Sequence, residues 1–226
     1  GDVINLAVDF SESVDVVTTS GTPTLELETG STDRTATYIS GSGSSTLIFS
    51  YTVQAGDNAS DLDYTSTSAL ALNSGTIKDS AGNDATLTLP TVGGSNSLAG
   101  SSALVIDGVT PTISGITSST SNGTYKVGDV INLAVAFSES VTVDTTNGTP
   151  TLELETSTTN STATYSSGSG SSTLTFTYTV QEGDTASDLD YASTSALSLN
   201  SGTIKDSIDY DAILTLPTVG GSNSLA

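Results

Sequence analysis

The chain has 226 residues, and four basic residues face twenty-five acidic ones for a formal charge of −21. With so few Lys and Arg there is no cluster to neutralise phosphates, which argues against nucleic-acid binding and docking on an anionic membrane. Cys and His are both absent, which removes disulfides, thiolate nucleophiles, imidazole bases and thiolate zinc sites.

The opening residues Gly1-Asp-Val-Ile-Asn-Leu-Ala-Val return at Gly128, and the match runs without a gap to Ala99 and Ala226. About 80 of the 99 aligned positions are identical, the signature of a tandem repeat. The segment from Gly100 to Val127 has no counterpart. Within it, Ala103–Asp107 reads as the last strand of the first copy and Thr112–Ile116 as the opening strand of the second. The expected boundaries are 1–107 and 108–226, with the first strand missing from copy one and the last from copy two. Both ends read as cut from a longer array.

Further along, Val130–Phe137 alternates with period two, placing Ile131, Leu133, Val135 and Phe137 on one face. Thr151–Glu155 turns leucines inward and glutamates outward, and Thr173–Val180 turns Leu174, Phe176, Tyr178 and Val180 inward. Turn-forming stretches separate these runs at Asn122-Gly123, Asn147-Gly148 and Ser166–Ser172. Ser and Thr make up roughly a third of the chain, far above ordinary usage. No helical period persists, and no apolar run approaches the roughly 20 residues that span a bilayer. The fold class is therefore all-β, as tandem antiparallel Ig-like (Greek-key) sandwiches.

Asp107-Gly-Val-Thr-Pro-Thr-Ile113, Phe137-Ser-Glu139, the turn Lys78-Asp-Ser-Ala-Gly-Asn83 and Val-Gln-x-Gly-Asp-x-x-Ser-Asp-Leu-Asp-Tyr at 53–64 and 180–191 resemble tandem Ig-like repeats of giant bacterial and cyanobacterial cell-surface proteins. That group includes adhesins exported with RTX-type tails. The resemblance implies a string of rigid extracellular modules, often stiffened by Ca²⁺ near domain junctions. Copy two departs from the pattern, because Ser207-Ile-Asp-Tyr210 replaces Ser80-Ala-Gly-Asn83. A glycine suited to positive φ becomes Asp209, so this turn is expected to be reshaped or its site altered.

Ca²⁺ takes six to eight hard oxygens, and the densest carboxylates are Asp57, Asp61 and Asp63, repeated as Asp184, Asp188 and Asp190. Their spacing is not that of an EF-hand loop. A second group should converge from distant elements at the junction: Asp107 on the linker, Glu139 after its strand and Asp206 at the opening of a turn. The matching positions of copy one are Glu12 and Asp79, with Asn83 and Asp84 in the same turn. The competing reading is that these residues cap turns and solvate loops. Glu26, Glu28, Glu153 and Glu155 read as a solvated strand face, and with 5% aromatic residues no glycosidase-like cleft is expected.

These observations predict a non-catalytic structural extender of an extracellular surface protein, with Ca²⁺ as its ion and neighbouring repeats as its partners. A glycan- or cell-surface-binding module and a laterally self-associating surface-layer or filament unit are the alternatives. No nucleic-acid partner and no membrane insertion of this segment are expected.

Overall fold

The computed structural model describes residues 1–157 and 159–226. The chain divides into two compact units, Gly1–Val109 and Thr110–Ala226.

The first unit contains β1 (Val3–Val17), β2 (Thr24–Glu28), β3 (Arg34–Ser40), β4 (Ser44–Thr52), β5 (Asn58–Ala59), β6 (Asp63–Tyr64), β7 (Leu70–Ala71), β8 (Thr76–Asp79), a one-turn helix α1 (Leu98–Ser101) and β9 (Ile106–Asp107). Its main sheet runs β6-β2-β3-β4-β1-β8, with β7 beside β2 and a separate ribbon of β5 and β9. The second unit contains β10 (Ile113–Ser118), β11 (Val130–Asp144), β12 (Thr151–Leu154), β13 (Ser161–Ser167), β14 (Ser171–Thr179), β15 (Leu197–Ser198) and β16 (Thr203–Lys205). Its order is β10-β11-β14-β13-β12-β15, with β16 on β11. All named strand pairs are antiparallel. The protein is all-β, and each unit is a sandwich-like curled sheet.

The period-two pattern decides which face is buried. Leu152, Leu154, Leu174 and Phe176 are fully buried, while Glu153 and Glu155 stand in solvent. Each such Leu or Phe contributes about 1.5–3 kcal/mol by leaving water. Tyr165 meets Phe176 edge-on with centroids 5.9 Å apart, and Tyr38 meets Phe49 in the same geometry. The hairpin between β13 and β14 needs glycine at Gly168: its φ is +106°, and a Cβ there would lie 2.3 Å from the Thr173 carbonyl oxygen.

One long strand shapes each unit. β11 pairs with β14 through Ala136↔Thr173, shifts register, resumes at Val141↔Ser171, and then takes β16 as its partner from Thr142 to Asp144. β1 repeats this, pairing with β4 up to Asp9 and with β8 from Val14 to Val17. The bulge bends the strand, so its two halves serve different neighbours.

Candidate metal centre

Glu139 lies within β11, not after a strand as the sequence pattern suggested. The apolar alternation breaks at Phe137 because the bulge begins there, yet the strand continues beyond it. Asp206 directly follows β16, whose Lys205 pairs with Thr142 of β11. That register brings carboxylate oxygens of Glu139 and Asp206 within 4.8 Å of each other. Asp206 is only 5% exposed.

The turn after Asp206 keeps the backbone of its counterpart. Asp206 N donates to Tyr210 O at 3.1 Å, as Asp79 N does to Asn83 O at 3.0 Å. Asp209 adopts φ +71° where Gly82 has +88°, so losing the glycine has not reshaped the loop. What changes is the side-chain chemistry. Asp79 Oδ1 accepts from Ala81 N and Asn83 N, and Asp79 Oδ2 accepts from Asn83 Nδ2 at 2.7 Å. The Asn83 side chain first, then the turn's backbone amides, hold the Asp79 carboxyl below the ordinary carboxylate range. Asp206 Oδ1 accepts from Ile208 N and Tyr210 N at 2.9 Å each. Its Oδ2 is buried and has no hydrogen-bond partner among the described residues.

A buried carboxylate oxygen left without a donor costs free energy, and a cation would relieve that cost beside Glu139. Asp107 belongs to the first unit, where it pairs with Asn58 and accepts from Val109 N at 3.1 Å. Among the copy-one counterparts, Glu12 is exposed, Asn83 is spent on Asp79, and Asp84 pairs with Lys78.

The other predicted ligands take a different job. Asp57 is 1% exposed and accepts from Tyr51 Oη at 2.5 Å, Gln54 N at 2.8 Å and Arg34 Nε at 2.7 Å. Burial alone would raise its pKa, but these donors outweigh it and hold the carboxyl below its ordinary range. Asp184 repeats the lock with Tyr178 Oη at 2.6 Å, Gln181 N at 2.7 Å and Ser161 Oγ at 2.9 Å. Ser161 stands where copy one has Arg34. The Asp57 segment lies against the linker within the first unit, since Gly108 N donates to Asp57 O and Asn58 pairs with Asp107. The Asp57 side chain, however, is spent inward.

Asp63 sits on strand β6, not in an irregular loop, and accepts from Tyr64 N, Gly93 N and Leu98 N. These amides and the Ser97 side chain overcome burial and keep its pKa low. Asp190 gathers Tyr191 N, Gly220 N and Leu225 N in the same way. Each clamp ties down a Thr-Val-Gly-Gly-Ser-Asn-Ser-Leu stretch that is identical in the two copies. Asp61 is exposed and accepts from Leu104 N, and Asp188 is exposed.

Spacing in the sequence did not reveal the clamps, because their donors are backbone amides about thirty residues away. The only available signal was that both the Asp-Leu-Asp-Tyr run and the glycine-rich stretch recur unchanged. No protein-family model, curated protein or solved structure matches the chain.

Proposed function

We propose that this chain is a non-catalytic extender segment of an extracellular surface protein, stiffened by Ca²⁺ at the junction between repeats. The observation that carries the reading is the buried, donorless Oδ2 of Asp206, a residue whose carboxylate comes within 4.8 Å of that of Glu139. Two carboxylates so close repel each other, and a cation held by both relieves that repulsion. Hard oxygens, with no imidazole or thiolate anywhere in the chain, suit Ca²⁺ better than a transition metal. By sequence, Asp107 stands three residues before the second unit begins and supplies the third carboxylate of the proposal.

The repeat organisation and the resemblance of its motifs to bacterial surface-protein repeats support the extender role. High negative charge keeps such a segment soluble and draws divalent cations. An ion that binds only the folded state stabilises it by mass action. Thermal unfolding of the chain in millimolar Ca²⁺, in Mg²⁺ and in chelator tests the ion. A rise of several degrees specific to Ca²⁺, abolished in Asp206→Asn, is expected. Equal melting under all three conditions would sink the ion.

A further inference from the structure

The loop between β11 and β12 carries the pair Asn147-Gly148, with Thr145, Thr146 and Asn147 all exposed. Glycine is required at the second position, because a Cβ on Gly148 would collide with the Asn200 carbonyl oxygen. Gly148 N donates to Thr145 O at 3.3 Å, a longer bond than most N–H donors make. The Asp107-Gly108 pair differs, because Gly108 N donates to Asp57 O at 2.6 Å and its amide is firmly held.

This loop is latched to the turn between β15 and β16. Asn200 Nδ2 donates to Thr149 O at 3.0 Å and to Thr151 Oγ1 at 2.8 Å, and a Cβ on Gly202 would collide with Gly148 O. The first unit builds the same latch around Ser20-Gly21. There Gly21 N donates to Thr18 O at 3.2 Å, and Asn73 Nδ2 donates to Thr22 O at 3.1 Å and to Thr24 Oγ1 at 2.9 Å. Serine thus satisfies the turn as well as asparagine does. Only asparagine places a carboxamide carbon one residue before the glycine amide.

We propose that Asn147 is a site of spontaneous deamidation and that its isoaspartyl product releases this latch. The Gly148 nitrogen attacks Asn147 Cγ, the new C–N bond closes a succinimide ring, and ammonia leaves carrying the amide proton. Water then adds to a ring carbonyl and opens the ring. Opening on one side gives aspartate, and opening on the other gives isoaspartate, whose main chain runs through the side-chain carbon. Glycine favours closure, since no side chain shields its nitrogen. Isoaspartate lengthens the main chain by a methylene, about 1.5 Å, where Gly148 lies against Asn200 and Gly202. The Asn200 hydrogen bonds do not survive a displacement of that size. Asn200 itself is guarded, because its carboxamide is held by Thr149 and Thr151 and a serine follows it. The site is independent of the Ca²⁺ reading, since it needs neither Asp206 nor Glu139.

The test ages the full chain in mildly alkaline buffer with chelator, carrying Asn122→Ser to remove its other Asn-Gly pair. Peptide mass spectrometry and enzymatic methylation of isoaspartate then follow residue 147. Isoaspartate is expected to accumulate there, faster as pH rises, while Asn200 keeps its amide. The purified isoaspartyl form should melt several degrees lower in the second unit and exchange faster at the Gly148 and Gly202 amides, with the first unit unchanged. Adding Asn147→Ser, which copies Ser20, should leave a chain that melts like the fresh protein and stays unchanged through the same ageing. An intact Asn147 in the folded chain, over the time in which the urea-denatured chain converts it, would overturn the proposal. So would an isoaspartyl form as stable as the fresh chain.

Discussion

Asn83 donates its side-chain amide to Asp79 Oδ2 at 2.7 Å, and Tyr210, its counterpart, provides no such donor to Asp206 Oδ2. In both turns the aspartate amide donates to the carbonyl four residues on and its Oδ1 accepts two backbone amides, so at the carboxylate the difference is one side-chain donor. One copy satisfies its aspartate internally, and the other holds a buried oxygen beside Glu139.

Restoring the donor should therefore exchange ion dependence for internal stability. Tyr210→Asn is expected to raise the melting temperature in chelator, by about 0.5–1.5 kcal/mol of stability, and to shrink the Ca²⁺-induced shift. Paired melts with Ca²⁺ and chelator check it. An unchanged Ca²⁺ shift would show that Asp206 Oδ2 is not a ligand.

Asp209 at φ +71° occupies backbone space that disfavours side chains. Asp209→Gly, copying Gly82, should stabilise the second unit by up to about 1 kcal/mol. Chemical denaturation followed with a probe in that unit would measure it, and a loss of stability would contradict the strain argument.

Asp57 should behave as a structural lock. Asp57→Asn leaves Arg34 and Tyr51 facing a neutral amide in a buried site, and should destabilise the first unit by about 2–4 kcal/mol. Asp184→Asn should cost the second unit less, because Ser161 and not an arginine completes that lock. Denaturant unfolding of both variants decides the order.

The same lock sets an acid limit. The folded pKa values of Asp57, Asp63 and Asp184 are depressed. Their stabilisation is fully present above the unfolded value, about 3.9, and is lost as pH falls through the folded values. Relief of the −21 charge works in the opposite direction. The diagnostic is thus the gap between wild type and Asp57→Asn, which should be constant from pH 7 to about 5 and close below about pH 4. A gap that persists at pH 2 would contradict the assignment.

The strands were legible because alternation reports a half-buried sheet directly: Leu152, Glu153, Leu154 and Glu155 lie on the faces their order dictates. Pairing Glu139 with Asp206 was legible as chemistry but not as geometry. The bulge after Ala136 interrupts the apolar pattern without ending the strand, so Glu139 read as a loop residue. Asp57 and Asp63 looked like ligands because carboxylate density carries no record of donors. Their partners are a tyrosine, an arginine and main-chain amides brought in by folding.

The central claim is that Ca²⁺ stiffens the segment between repeats, and small-angle X-ray scattering of the whole chain, in millimolar Ca²⁺ and then in chelator, tests it most directly. A single extended distance distribution in Ca²⁺ is predicted, broadening in chelator while both sandwiches stay folded by circular dichroism. Asp107→Ala and Glu139→Ala should give the broad profile in either buffer. Superimposable profiles with and without Ca²⁺ in the unmodified chain would contradict the account.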